Sequence, residues 1–112
     1  MSKRDNILLI QDMIESARKI MTYTRNMSFD RFKNDSKTVD AVIRNFEVIG
    51  EAANRLTDDF KTKNPEIEWS HLRGFRNRIV HEYFGIDLEI VWHIIEENLP
   101  ELLAALRNKF PD

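Results

Sequence analysis

The sequence contains no cysteine, and it has only three glycines and three prolines in 112 residues. Without cysteine, neither a disulfide framework nor a thiolate metal site is possible, which suits a reducing compartment, and we expect the cytoplasm. The scarcity of helix breakers predicts long, uninterrupted elements. No span of about 20 apolar residues is present, and residues 1–6 lack the apolar core of a signal peptide, so neither membrane insertion nor secretion is expected.

A strong net charge is also missing. The formal net charge is −2, so the chain as a whole has no field that would attract nucleic acid, and any such binding must be local. Hydrophobic residues make up 42% and charged residues 32%, the balance of a compact helical protein. The length fits one hydrophobic core, so residues 1–112 are predicted to form a single domain.

The charges that are present are distributed unevenly. Residues 70–81 contain Arg73, Arg76 and Arg78 and no acidic residue, whereas residues 82–101 contain six acidic residues and no Lys or Arg. Charge runs of this kind are commonly solvated helix faces. That interpretation stays open beside a functional one.

Apolar residues recur at spacings of three and four, which is the period of an amphipathic helix. Residues 28–36 are predicted to be a polar connection that ends in the possible helix caps Asp35 and Ser36, and Gly50 is interpreted as a helix packing position. Pro100 should either kink the last helix or start a new one. The predicted helices cover about 3–27, 37–56, from 66–70 to 84–85, and from the cap Asp87 to about 108. The fold class is therefore all-α, an antiparallel bundle of four to five helices.

Several familiar sites are excluded by inspection. Three isolated glycines cannot form a phosphate-cradling loop, and no Gly-Lys-Ser or Gly-Lys-Thr occurs. His81 and Glu82 begin like a zinc-protease helix, but Gly85 stands where the second histidine is needed. The three histidines lack helical ligand spacing, and no serine or cysteine nucleophile stands out. We expect neither a metal nor a cofactor.

Charged and titratable side chains are most concentrated in the stretch Arg-Asn-Arg-Ile-Val-His-Glu-Tyr, from Arg76 to Tyr83. A guanidinium matches phosphate oxygens, and an imidazole, whose unperturbed pKa is about 6.5, suits proton transfer near neutral pH, so phosphodiester chemistry is indicated. On an ideal helix, Arg76 and His81 would point about 140° apart. They could act on one ligand if the arginine curls round or if a second chain completes the site, which hints at a dimer. The spacing alone is weak evidence.

Stronger evidence comes from a resemblance that extends from Val42 to Leu106. The residues that carry it are Ile49-Gly50-Glu51-Ala52, Pro65, Trp69, Leu72-Arg73-Gly74-Phe75-Arg76-Asn77, His81-Glu82-Tyr83-Phe84 and Leu99-Pro100. They resemble the HepT-like branch of the HEPN superfamily. The most specific part is Arg, four residues, His, one residue, Tyr, which Arg76, His81 and Tyr83 satisfy.

The resemblance implies a HEPN-like homodimer that acts as a metal-independent endoribonuclease toxin of a toxin-antitoxin pair. Its cognate antitoxin would be an MntA-like minimal nucleotidyltransferase. Arg76 and His81 would be catalytic, and Asn77, Arg73 and Arg78 would bind RNA phosphate. Tyr83 would be the residue that the antitoxin modifies by AMPylation.

Two alternatives to a nuclease stay open. The bundle could be a noncatalytic partner that helps a nucleotidyltransferase present its substrate, with Arg76 and His81 binding phosphate without cleaving it. It could also be a helical dimerisation domain without a ligand, although this leaves the basic helix unexplained. Tyr83 could be a core residue in line with Phe75 and Ile79.

Overall fold

A computed structural model describes residues 3–70, 72 and 86–111, with side chains from residue 5 onward. Within these ranges the secondary structure is helical and contains no strand, which confirms the all-α prediction. The predicted third helix falls on residues of which the structure describes only 66–70 and Leu72. The described helices are α1 (Lys3–Tyr23), α2 (Phe29–Lys33), α3 (Ser36–Arg55), α4 (Asp58–Lys63), α5 (Leu88–His93) and α6 (Leu99–Lys109), with a π-helical turn (Ile94–Asn98) between the last two.

The two longest helices, α1 and α3, form the most extensive helix pair and run antiparallel. Their relative direction follows from a reciprocal contact between the start of α1 and the residues after α3. The Asn6 amide nitrogen donates to Thr57 Oγ1, and the Thr57 backbone N–H donates to Asn6 Oδ1, both at 3.2 Å. Gly50, Ala52 and Ala53 are buried on α3, as expected for a packing position.

The start of α3 matches the sequence prediction to within one residue. The Asp35 carboxylate accepts from the backbone N–H of Thr38 at 3.1 Å, so Asp35, rather than Ser36, is the cap. The first helix was predicted to reach residue 27, and this is wrong, because α1 ends at Tyr23. Asn26 has φ of 63°, a left-handed conformation that asparagine tolerates and that cannot continue a right-handed helix.

Two short helices were not predicted. Residues 28–36 contain α2, which begins where Ser28 Oγ accepts from the Arg31 backbone N–H at 3.2 Å. The polar residues after Leu56 contain α4, which begins where Thr57 Oγ1 accepts from the Phe60 backbone N–H at 3.2 Å. Helices of five and six residues are too short to display an apolar period.

The carboxyl-terminal segment continues as a helix past His93 through a π-helical turn. Leu99 donates its backbone N–H to the carbonyl of Ile94, five residues earlier, and α6 then begins with Pro100 in its first turn. Proline has no backbone N–H to donate, and the π-helical turn just before it lies where the ordinary hydrogen-bond pattern of the helix is interrupted. The residues on both sides of the π-helical turn, among them Ile94, Asn98 and Leu99, keep right-handed helical backbone angles, so the helical run continues through Pro100 and no capped new helix starts there.

This last segment runs antiparallel to α1. Trp92 and Pro100 line one groove with Met21 near the end of α1, whereas Arg107 lines another groove with Gln11 in its first half. Apolar side chains from the helices of the described ranges form one core cluster, in which Phe32, Phe46 and Met13 are almost completely buried. None of the described helices has both the length and the apolar character needed to cross a membrane.

Candidate functional site

The six predicted site residues lie outside the residues that the structure describes. They fall between residues 73 and 85: Arg73, Arg76, Asn77, Arg78, His81 and Tyr83. What the structure describes is the protein on both sides of this stretch, which we refer to as the motif segment, residues 73–85. Its two flanks show how the fold holds the chain before and after the predicted chemistry.

On the amino-terminal side, Trp69 is fixed to the turn that precedes it. Its indole Nε1 donates to the backbone carbonyl of Asn64 at 3.0 Å, and only 8% of the residue is exposed. The same carbonyl accepts from the Ile67 backbone N–H at 3.3 Å. The ring of Trp69 also lies 6.1 Å from that of Phe60. Leu72, 2% exposed, completes this anchor in the core immediately before the motif segment.

Asn64 is the residue in this anchor that sequence reasoning missed. Its side-chain amide donates to the Phe60 carbonyl at 2.8 Å, and the residue is buried although it is polar. In the sequence, its position before Pro65 predicts a turn, but it does not predict that the turn accepts a hydrogen bond from the Trp69 indole. The burial of both polar partners explains why the indole N–H finds an acceptor here.

On the carboxyl-terminal side, Asp87 caps α5 as predicted. One carboxylate oxygen, Oδ1, accepts from the backbone N–H groups of Glu89 at 3.0 Å and Ile90 at 3.3 Å. One and a half turns later, the Trp92 ring packs on α2, with its centroid 5.2 Å from that of Phe32 and 6.3 Å from that of Phe29. Thus the chain that leaves the motif segment is tied both to a helix cap and to α2.

A cleft of about 250 Å³ lies beside the amino-terminal anchor. Three carboxylates, of Glu66, Glu68 and Glu101, line it together with Leu72. Asn98 also lines it, and its Oδ1 is buried with no hydrogen-bond partner among the described residues. Glu66 is paired with the Lys109 ammonium at 3.2 Å, and the described lining contains no Lys or Arg, so the described wall of the cleft offers no cation to an RNA backbone.

Among the described residues, the clear pKa shifts arise from structural contacts. Hydrogen bonds from the Thr38 backbone N–H, and then from its hydroxyl, lower the pKa of Asp35, while the hydrogen bond from the Arg18 guanidinium lowers the pKa of Glu15. His93, at the end of α5, is exposed. In residues 5–70, 72 and 86–111, no group of three or more His, Asp or Glu side chains is placed to hold a metal ion.

Comparison with known proteins identifies the class of this protein. A family model described as ribonuclease HepT-like matches residues 13–108, which include the whole motif segment and both of its flanks. The chain therefore belongs to the HepT-like ribonuclease family, and the resemblance noted in the sequence is confirmed.

Individual relatives agree with the family match. A provisionally assigned RNase of Methanocaldococcus jannaschii is 41% identical over 100% of this chain and 93% of its own length. A second one from the same organism is 38% identical over 91% of this chain and 94% of its own. A probable ribonuclease HepT of Thermococcus cleftensis is 38% identical over 89% of this chain and 91% of its own. No solved structure matches.

Proposed function

We propose that this protein is a metal-independent endoribonuclease of the cytoplasm, formed by one domain, and the toxin of a toxin-antitoxin pair. The observation that carries the proposal is the Arg76, His81 and Tyr83 pattern, which lies within the stretch that matches the ribonuclease family. Arg76 and His81 are the proposed catalytic residues. Arg73, Asn77 and Arg78 are proposed to bind RNA phosphate.

The proposed reaction is an internal transesterification of RNA. The 2′-hydroxyl oxygen attacks the adjacent phosphorus while the bond from phosphorus to the 5′-oxygen breaks, leaving a 2′,3′-cyclic phosphate and a 5′-hydroxyl. The His81 imidazole moves the proton, and the Arg76 guanidinium stabilises the charge that builds on the phosphoryl oxygens. DNA lacks the attacking hydroxyl and should not be cleaved.

The described flanks support this proposal because they fix the chain on both sides of the motif segment. Trp69 and Leu72 anchor the chain before it, and the Asp87 cap fixes the chain after it. Catalytic groups held by rigid elements keep the geometry that proton transfer and charge stabilisation require. The flanks alone carry no catalytic group, so the chemistry rests on the sequence pattern.

Cleavage of RNA in the presence of EDTA tests the proposal. We expect a 2′,3′-cyclic phosphate product, and His81→Ala should reduce kcat by roughly 10²- to 10⁴-fold, the usual contribution of general acid–base catalysis. Arg76→Ala should lower kcat as well. His93→Ala is the matched histidine control, because His93 is exposed and lies outside the motif segment, and it should retain full activity. No cleavage under any condition would point instead to the noncatalytic partner.

We further propose that the active form is a homodimer in which Arg76 and His81 of different chains meet. Two inactive variants, Arg76→Ala and His81→Ala, should then restore activity when mixed and allowed to exchange subunits. Since half of the dimers would be mixed and one of their two sites would be intact, recovery should approach roughly a quarter of normal activity. Verified exchange without recovery would contradict the two-chain site.

Tyr83 is proposed to be the point of control. A minimal nucleotidyltransferase antitoxin would transfer AMP from ATP to the tyrosine oxygen, releasing pyrophosphate. The added phosphodiester would compete with RNA phosphate for the Arg76 guanidinium. Intact-mass measurement after co-expression tests this, with Tyr23→Phe as the control because Tyr23 is an exposed tyrosine on α1. Full modification of Tyr83→Phe would refute the assignment.

A further inference from the structure

A second cluster of cations lies outside the motif segment, around α2. Residues 18–39 contain six Lys or Arg and two Asp, although the net charge of the chain is −2. Four of these cations follow α1 and are exposed, and we call them the α2 basic surface: Arg25, Arg31, Lys33 and Lys37. Sequence reasoning missed this surface, and its signal was the excess of cations over residues 18–39.

The two carboxylates within this stretch are engaged locally. Asp30 lies 3.4 Å from the Lys33 ammonium, and Asp35 accepts from the Thr38 backbone N–H at 3.1 Å and from the Thr38 hydroxyl at 2.9 Å. Besides these hydrogen bonds, the charges of Lys37 and Arg31 lower the pKa of Asp35. From the neighbouring helical segment, Glu96 lines the same groove as Arg25. Within the described ranges, however, Arg25, Arg31 and Lys37 form no ion pair and remain available to an anionic partner.

The packing of the helices places this surface against α5, which is the helix that follows the motif segment along the chain. The rings of Phe29 and Phe32 pack on Trp92 of α5, the helix that follows the motif segment. After the motif segment the described chain resumes at Ile86, five residues after His81, and an extended chain spans that separation in at most about 18 Å. The stretch from Ile86 to Trp92, which touches α2, adds about 13 Å. The total of about 30 Å is a distance that an RNA of several nucleotides can cover.

Aromatic side chains accompany the cations. Phe29 and Trp92 are only partly buried, and the Lys33 ammonium lies 5.4 Å from the centre of the Phe29 ring. Proteins that bind single-stranded nucleic acid combine cations that follow the backbone with aromatic rings on which bases stack. By contrast, the cleft on the amino-terminal side of the motif segment is lined by carboxylates.

We propose that the α2 basic surface binds the phosphate backbone of the RNA substrate beyond the scissile bond. This inference rests on the proposed nuclease function and extends it to substrate length. An RNA of several nucleotides would reach from the motif segment to α2, whereas a dinucleotide would not. The surface would therefore lower KM for long RNA and leave the chemical step unchanged.

The test compares the triple variant Arg25→Ala, Arg31→Ala, Lys37→Ala with the protein itself, on RNA of about 20 nucleotides and on a dinucleotide. Counterion release from single strands gives a slope of about −0.7 per phosphate contact in log K against log salt. Loss of up to three contacts should raise KM for the long RNA by about 10- to 100-fold near 0.1 M salt and reduce the slope by up to about 2. The kinetics on the dinucleotide should not change.

A charge-matched control removes three lysines at the other end of the bundle, Lys61, Lys63 and Lys109. These lie near the start of α1, because Thr57 contacts Asn6 and Phe110 stacks on Phe60 with ring centres 5.6 Å apart. Helix α1 separates the two ends by about 30 Å. This control should leave KM for the long RNA unchanged.

An unchanged KM in the α2 triple variant would overturn the inference. If the triple variant with unchanged KM also fails to bind a nucleotidyltransferase partner, the α2 basic surface is a protein docking surface and not an RNA-binding one. If no RNA is cleaved at all, the nuclease proposal fails by itself, and fluorescence anisotropy with the same labelled RNA then decides the inference. Equal affinities of the unsubstituted protein and the triple variant for this RNA would contradict the inference.

Discussion

Replacing Trp69 with phenylalanine should destabilise the anchor before the motif segment, and the contacts of Trp69 give the expected loss in free energy of unfolding. The variant loses the 3.0 Å hydrogen bond from the indole to the Asn64 carbonyl, worth about 1 kcal/mol. The carbonyl keeps the Ile67 N–H at 3.3 Å, so no buried acceptor is left without a partner. The smaller ring gives up some tens of Å² of buried area, worth about 1 kcal/mol more. The total is about 2 kcal/mol.

Thermal and urea unfolding, followed by far-ultraviolet circular dichroism at equal protein concentration, measure this loss. A loss of about 2 kcal/mol should lower Tm by about 8 °C for a chain of this size. Equal concentrations are needed because a dimer would make Tm depend on concentration.

The second tryptophan supplies the control. Trp92 contacts Phe29 and Phe32 through its ring, is only half-buried, and has no indole hydrogen bond among the described residues. Trp92→Phe should therefore cost about 1 kcal/mol or less. If Trp69→Phe destabilises the protein no more than Trp92→Phe does, the hydrogen bond to Asn64 does not hold the anchor in the way argued.

Three further predictions concern the caps and the core. Asp87→Ala should lower the free energy of unfolding in urea by about 1 kcal/mol, because two backbone N–H groups lose their acceptor. Asp87→Asn should lower it only a little, since an amide oxygen can also cap a helix. Equal losses in the two variants would contradict the capping role. Thr38 lowers the pKa of Asp35 in the folded state, so the Asp35 carboxylate stabilises the fold at pH values above its unfolded pKa of about 3.9. This stabilisation is lost as the pH falls through the pKa of Asp35 in the folded protein. Unfolding measured between about pH 2 and 6 should show a shallower acid decline in Asp35→Asn, and an identical decline would refute this. Phe32→Ala, at a fully buried position, should cost about 3–5 kcal/mol in unfolding free energy, clearly more than Phe29→Ala at the half-buried one.

The sequence predicted well those elements whose signals are local and repeated. The start of α3 and the cap of α5 were found because Asp35 and Asp87 are good caps that precede an apolar period. The short helices α2 and α4 escaped prediction since their stability comes from packing, with Phe32 against Trp92 and Phe60 against Trp69, and not from an amphipathic period. The end of α1 at Tyr23 was missed, because it is followed by a turn with Asn26 in a left-handed conformation that residue type alone does not specify.

The candidate site shows the same division between local pattern and packing. The pattern of Arg76, His81 and Tyr83 can be read along the chain, and membership of the HepT-like ribonuclease family supports it. The hydrogen bond from Trp69 to Asn64 and the packing of α2 on α5 could not be read there, because they depend on the path of the chain in space.

The sequence by itself determined the helical class, the family and the residues that carry the proposed chemistry, since each rests on residue type and spacing. Only the tertiary structure decided what lies beside the two described flanks: a cleft lined by carboxylates next to Leu72, and the α2 basic surface packed against α5. The physical reason is that long-range electrostatics depend on distance in space. Helix packing, which the sequence encodes only indirectly, brings α2 against α5 and so sets where an RNA strand would meet positive charge.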